Sequence, residues 1–123
     1  MDDVERRARG LALRKKIFGE AAVATRMNAH GDFGKPLQDL INGYAYGDVW
    51  SRPGLDNRAR SLAVLAMTAA LNRPAEFSVH VKGAIANGCT PDEIREVLLL
   101  IALYCGIPAA NDAHRLVLEA MAK

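Results

Sequence analysis

Apolar residues recur along the chain at the three- and four-residue spacing of amphipathic helices, and no segment alternates with the two-residue period of a strand. The Asn-Gly pairs at 42–43 and 87–88 each follow a helical stretch, so they indicate helix ends and not hairpin turns. The pattern therefore predicts an all-α fold of six helices.

Each predicted helix has a residue at one of its ends that starts or stops a helix. The six cover about residues 2–18, 36–46, 57–71, 74–86, 91–105 and, after a turn at 106–108, the segment to about 120. Residues 20–35 are less regular, and 47–55 are predicted to form a loop. The clearest start is the capping box formed by Thr90 and Glu93, with Pro91 at the first helical position. Asp56 is predicted to cap the helix that follows it.

Two predicted helices are apolar on all sides. Residues 61–71 read SLAVLAMTAAL and residues 97–105 read VLLLIALYC, with no clear polar face in either. Six short helices can surround one such element, but hardly two. We therefore expect a homo-oligomer in which subunits cover each other's central helices, the alternative being an unusually well-wrapped monomer.

Composition limits the partners. The 123 residues are 50% hydrophobic and carry a net charge of +2, so we expect one domain over residues 1–123 and no nucleic-acid or membrane partner. The charged N-terminus does not resemble a signal peptide, and Gly106 and Pro108 interrupt the longest apolar stretch, which favours a soluble cytoplasmic protein. Cys89 and Cys105 are too far apart in sequence for a CxxC redox or zinc motif.

His80 is the histidine best placed for chemistry. The three histidines are at least 34 residues apart in sequence, so no metal cluster is predicted. His80 lies on or beside a stripe that includes Phe77, Val81, Ala84 and Ile85, and Glu76 lies one turn earlier. An imidazole held by a carboxylate in apolar surroundings is suited to proton transfer near neutral pH. The alternative is a buried histidine with a structural role.

A second candidate group surrounds the turn that precedes the third predicted helix. Trp50, Arg52, Arg58 and Arg60 could form a corner that binds an anion, because guanidinium groups pair bidentately with carboxylates. Ordinary surface or intersubunit ion pairs are the alternative. Tyr104 could line a pocket or belong to the core.

Three segments together resemble the carboxymuconolactone decarboxylase family. They are GYAYGDVWSRPGLD at 43–56 with its continuation to 62, HVKGAIANGCTPDEIREV at 80–97, and YCGIPAA at 104–110. The resemblance extends over essentially the whole chain. It implies the all-helical fold of alkylhydroperoxidase D-like proteins, a ring-shaped homohexamer, and a lyase without cofactor or metal. The implied reaction converts 4-carboxymuconolactone, a dianionic lactone, to β-ketoadipate enol-lactone and CO2 in protocatechuate catabolism.

Such a reaction sets three tasks: binding a dianion, stabilising a developing enolate, and delivering a proton to carbon. The lactone carbonyl itself accepts the electron pair that CO2 leaves behind. Arg52 and Arg60 are predicted to bind the anionic groups. His80 is predicted to donate the proton, with Glu76 orienting it. Trp50 and Tyr104 are predicted to exclude water from the site.

The chain departs from related sequences at two places. Peroxidase relatives carry a CxxC motif where this chain has Arg73 and Glu76, which argues against thiol chemistry. The decarboxylases often carry a histidine where this chain has Ala22, which keeps open a same-fold enzyme acting on another small acid or lactone. A peroxidase-like antioxidant protein and a non-catalytic helical oligomer are the remaining alternatives.

Overall fold

A computed structural model describes residues 2–122, which form seven α-helices and one π-helix and contain no strand. In chain order the elements are α1 (Asp3–Phe18), α2 (Glu20–Asn28), α3 (Gly31–Leu40), the π-helix (Ile41–Val49), α4 (Asn57–Ala70), α5 (Pro74–Ala86), α6 (Pro91–Cys105) and α7 (Ile107–Met121). The helices divide into two compact units, one that ends at Leu55 and one that begins at Asp56. The prediction of an all-α fold is confirmed, but the predicted number of six helices is too low for the described residues.

In the first unit, α1 and the π-helix approach each other so closely that their backbones touch. A Cβ atom at Gly10 would lie 1.6 Å from the carbonyl oxygen of Asn42, and one at Gly47 would lie 2.4 Å from the carbonyl oxygen of Arg6. Only glycine fits at either position. The Arg9 guanidinium donates a hydrogen bond to the Gly47 carbonyl and so fixes the end of the π-helix.

A buried arginine joins three helices of this unit. Arg14 is 5% exposed, and its Nη1 donates to Gln38 Oε1 at 2.9 Å and to Asn42 Oδ1 at 3.0 Å. Its guanidinium carbon lies 5.9 Å from the centre of the Tyr46 ring, within the range of a cation–π contact. Burying a charged donor costs the least free energy when hydrogen-bond acceptors surround it. These contacts therefore fix the register of α1 against α3 and the π-helix.

The helix boundaries predicted between residues 20 and 49 are wrong. The segment predicted as irregular forms α2 and the first half of α3, and Pro36 lies inside α3 instead of at a helix start. The loop predicted at 47–55 begins only after Val49, where the π-helix ends. Polar and glycine residues dilute the apolar stripe here, and packing against α1 stabilises helices that periodicity alone does not indicate.

The second unit follows its sequence signals closely. Asp56 accepts a hydrogen bond from the Ala59 amide at 2.7 Å, and the capping box of Thr90 and Glu93 starts α6 as predicted. Gly106, with φ of 99°, is the whole connection between α6 and α7, so the predicted three-residue turn is shorter than expected. The four helices enclose an apolar core of fully buried side chains: Leu65, Phe77, Val81, Ala84, Ile94 and Ile101.

One side of α6 remains apolar and exposed. Ile94, Val97, Leu98 and Ile101 face the core. The opposite side, here called the α6 outer face, consists of Leu99, Leu100, Leu103 and Tyr104, all more than half exposed. None of the described helices is both long and apolar enough to cross a membrane. A contiguous apolar face of this kind on a folded chain is typical of an interaction surface.

The contact between α1 and the π-helix makes Gly10 intolerant of any side chain. We expect Gly10→Ala to lower the free energy of unfolding by about 3 kcal/mol, because either the two helices separate or the backbone distorts. Urea denaturation followed by circular dichroism measures the change. Gly54→Ala is the matched control, since a Cβ atom there meets nothing within 4 Å and should change stability by less than about 1 kcal/mol. Equal effects of the two substitutions would contradict the close approach.

Candidate functional site

Helix α5 places Glu76 and His80 one turn apart, at the border between the core and solvent. His80 is 8% exposed, whereas Glu76 is about half exposed. Glu76 Oε2 lies 3.9 Å from His80 Nε2, within ion-pair range but longer than a direct hydrogen bond. A carboxylate at this separation can stabilise the protonated form of the imidazole.

The inward stripe predicted for α5 is confirmed except at its last position. Phe77, Val81 and Ala84 are buried together with His80, but Ile85 is 42% exposed. Near the helix end the predicted stripe turns toward solvent, because residues at i and i+8 are about 80° apart around an α-helix.

A sharp corner before α5 fixes the direction of this helix. Asn72 has a positive φ of 55°, and Pro74 occupies the first helical position. The Arg73 amide donates to the Thr68 carbonyl at 2.9 Å, and the Phe77 amide donates to the Arg73 carbonyl at 2.9 Å. Residues just before α5 are therefore tied both to the end of α4 and to the first turn of α5.

Trp50 and Arg52 belong to the first unit. The Trp50 amide donates to the Ala45 carbonyl at 2.8 Å, which closes the π-helix, and the indole stacks on Tyr46 at a ring separation of 5.8 Å. Trp50 is buried, so its indole contributes to the packing of the unit. Arg52 is exposed just beyond the π-helix, where its amide donates to the Val49 carbonyl.

Arg60 and Tyr104 belong to the second unit. Arg60 is half-buried on the first turn of α4, and its Nη1 donates to Asn57 Oδ1 at 3.1 Å. Tyr104 is 82% exposed on the α6 outer face, so it lines a pocket only if another surface covers it. Arg58 forms an ion pair with Glu93, which makes it a structural link between α4 and α6. Of the predicted site residues, the structure shows Glu76 and His80 in contact.

A cavity that sequence reasoning missed lies within the second unit, where the end of α4 and the start of α5 meet α7. Its volume is about 440 Å³, within the range of small-molecule sites. Phe77 and Ala113 contribute apolar surface, and Arg73 and Arg115 contribute positive charge. The available signal was local: Arg73 directly precedes Pro74 at the predicted start of a helix, and the apolar Phe77 follows on its first turn.

The buried thiol does not supply a nucleophile. Cys89 Sγ lies 3.4 Å from the Arg58 carbonyl oxygen, to which it can donate. Burial raises the pKa of the Cys89 thiol, and Asp56 adds to this effect while Arg58 opposes it. Little thiolate is therefore present at neutral pH. Residues 2–122 contain no group of three or more side chains placed to hold a metal ion.

These features define a helical protein with an imidazole–carboxylate pair on the helix that borders a cationic cavity. Residues 35–119 match the model of the carboxymuconolactone decarboxylase family. The chain belongs to the carboxymuconolactone decarboxylase family, so the resemblance seen in the sequence is confirmed.

Two curated relatives are similar over most of their length. The 4-carboxymuconolactone decarboxylase of Acinetobacter baylyi is 39% identical over 119 residues, covering 97% of this chain and 89% of the relative. The nitrosuccinic acid decarboxylase npaB of Metarhizium robertsii is 40% identical over 114 residues, covering 91% of this chain and 80% of the relative. Both relatives are named as decarboxylases, which are carboxy-lyases.

The raised pKa of Cys89 has a measurable consequence. In a Cys105→Ser variant, where Cys89 is the remaining thiol, alkylation by iodoacetamide at pH 8 should be about tenfold or more slower than in the same variant unfolded in urea. The rate should keep rising with pH beyond the usual thiol range, because a raised pKa delays formation of the thiolate. Equal rates in the native and unfolded protein would show that the Cys89 thiol is accessible and that its pKa is not raised.

Proposed function

We propose that the protein is a cofactor-free decarboxylase whose substrate is 4-carboxymuconolactone, acting in protocatechuate catabolism. The observation that carries the proposal is the Glu76–His80 pair on α5, in a chain of this family. An imidazole at the edge of an apolar core can give a proton to carbon while the neighbouring carboxylate balances its charge.

The substrates in the relatives' names share a skeleton that agrees with this chemistry. Both 4-carboxymuconolactone and nitrosuccinic acid carry carboxylates on two adjacent carbons, as succinate does. One of these carbons also bears an electron-withdrawing group, an unsaturated lactone in the first compound and a nitro group in the second. Loss of CO2 from that carbon leaves an electron pair that the lactone or the nitro group delocalises. The other carboxylate is retained on a CH2 group.

With the lactone, the bond between the ring carbon and its carboxylate breaks and CO2 departs. The electron pair moves through the ring double bond to the lactone carbonyl oxygen and forms a dienolate. His80 then donates a proton to the carbon next to the carbonyl, which yields β-ketoadipate enol-lactone, and the imidazole recovers its proton from solvent. The reaction consumes one proton and releases one CO2, with no change of oxidation state that requires an added reagent.

The remaining predicted residues have supporting roles in this proposal. Arg52 and Arg60 bind the anionic substrate or the enolate oxygen, because charge-assisted hydrogen bonds from guanidinium are strong and directional. Glu76 orients His80. Trp50 and Tyr104 exclude water from the reacting groups.

A nitro acid is the second candidate substrate. The similarity to nitrosuccinic acid decarboxylase is as high, at 40% identity, as that to the lactone enzyme. The same proton donor would serve both, since a nitronate is also protonated on carbon after CO2 has left.

We also propose that the protein is a homohexamer. The α6 outer face supports a subunit contact, because Leu99, Leu100 and Leu103 are each more than half exposed in the single chain. Met67 on α4 and Leu71, the residue after its end, are similarly exposed. Burying such surfaces between copies removes apolar area from water and would cover Tyr104.

The decarboxylase proposal is tested by incubating the purified protein with each substrate and following CO2 release and loss of substrate absorbance. We expect turnover of 4-carboxymuconolactone. His80→Gln should lower kcat about 100-fold or more, because the proton donor is lost while the helix is kept. His30→Gln is the matched control, since His30 is exposed in the first unit, and it should leave kcat unchanged. Turnover of nitrosuccinate alone would select the second candidate, and turnover of neither would refute the proposal.

The oligomer is tested by light scattering after size exclusion. The wild type should have six times the mass of one chain, and Leu103→Asp should give smaller species, because a carboxylate placed on the α6 outer face opposes its burial. Val4→Asp, which adds the same charge at an exposed apolar position of α1, should leave the mass unchanged. A wild-type monomer would overturn this assignment.

A further inference from the structure

The cavity of the second unit adjoins the helix that carries the proposed proton donor, which suggests a part in substrate binding. Arg73, the residue before α5, and Phe77 on the first turn both line it, and His80 follows Phe77 at i+3 on the buried face of α5. His80 is not itself one of the lining residues, so it lies beyond the cavity on the same face of α5.

Two arginines line the cavity, but they differ in what surrounds them. Arg115 lies 4.0 Å from Asp112 and 3.2 Å from Glu119, so carboxylates of its own helix offset its charge. Among residues 2–122, no acidic side chain pairs with Arg73, and its side chain does not cap α5. Arg73 is thus the positive charge of the cavity that remains available for an anion.

The rest of the lining restricts the kind of anion. Phe77 and Ala113 are almost fully buried and form an apolar wall, and Ala69 and Leu116 add to it. Thr68 and Asn72 add polar groups to the same lining. A carboxylate on a short hydrocarbon body matches both the guanidinium and the wall.

We infer that Arg73 is a further substrate-binding residue, and that it holds the carboxylate that the substrate retains on its CH2 group. This inference rests on the proposed function, because it assigns one end of the substrate to Arg73 and the reacting carbon to His80. It also sets the orientation of the bound substrate: the retained carboxylate lies toward the start of α5 and the departing one lies nearer His80.

The test measures kcat and KM for Arg73→Gln with the substrate that the wild type turns over. We expect KM to rise about 10-fold or more while kcat changes less than about threefold, since a binding contact is lost and the proton donor is kept. Arg73→Lys should recover part of the loss. Arg95→Gln is the matched control, because Arg95 is an exposed arginine of α6 that does not line the cavity, and it should leave KM unchanged.

Asp112→Asn should change KM in the opposite direction to Arg73→Gln. Asp112 is the one acidic side chain among the described residues that line the cavity, so its neutralisation should lower KM about twofold. Folding of each variant is checked by circular dichroism and thermal unfolding.

Binding of succinate, measured by calorimetry, separates failure of this inference from failure of the proposed function. Succinate carries the CH2-carboxylate group but cannot decarboxylate readily. If the wild type turns over neither substrate but binds succinate at least tenfold more tightly than Arg73→Gln does, the carboxylate site stands and the proposed reaction is wrong. If the wild type is active and Arg73→Gln changes neither KM nor succinate affinity, the inference is wrong. A fall in kcat with unchanged KM would also overturn it.

Discussion

Burial of one face of α5 is the constraint on which the second unit depends. Phe77, Val81 and Ala84 are almost completely enclosed by the other three helices, and removing this face from water is the main gain from packing them together. His80 lies on the same face and is therefore held by the core itself. Glu76, one turn earlier, is about half exposed and lies within ion-pair range of His80. The stability of the unit and the rigidity of the proposed proton donor thus have one physical origin.

The first unit depends on close packing of backbones more than on a large apolar core. Gly10 and Gly47 allow α1 and the π-helix to touch, and the buried Arg14 ties both to α3 through Gln38 and Asn42. A π-helix has less favourable geometry than an α-helix and is common at functional sites. Here it ends next to Trp50, immediately before the exposed arginine proposed to bind substrate.

Most of the second unit could be predicted from the sequence, because its helices begin and end at residues whose local chemistry is strong. Asp56, Thr90, Pro91 and Gly106 act within one turn of the chain, so neighbours in sequence suffice to interpret them. The helices between residues 20 and 49 could not be predicted, because contacts with α1 stabilise them and periodicity is weak there. Arg73 was not predicted as a substrate-binding residue for a similar reason, because its proposed role depends on a cavity whose walls come from separate helices.

The sequence by itself determined the all-helical class, the family and the pairing of Glu76 with His80, because helical spacing of four residues makes the two side chains neighbours wherever the helix lies. Tertiary structure decided which groups are enclosed and which charges are already satisfied. It showed that Arg58 forms an ion pair with Glu93 and that Tyr104 is exposed. It also showed that Arg73 lines a cavity and forms no ion pair with an acidic side chain among the described residues. Burial and ion pairing depend on residues far apart in the chain, so only the packing of the helices could reveal them.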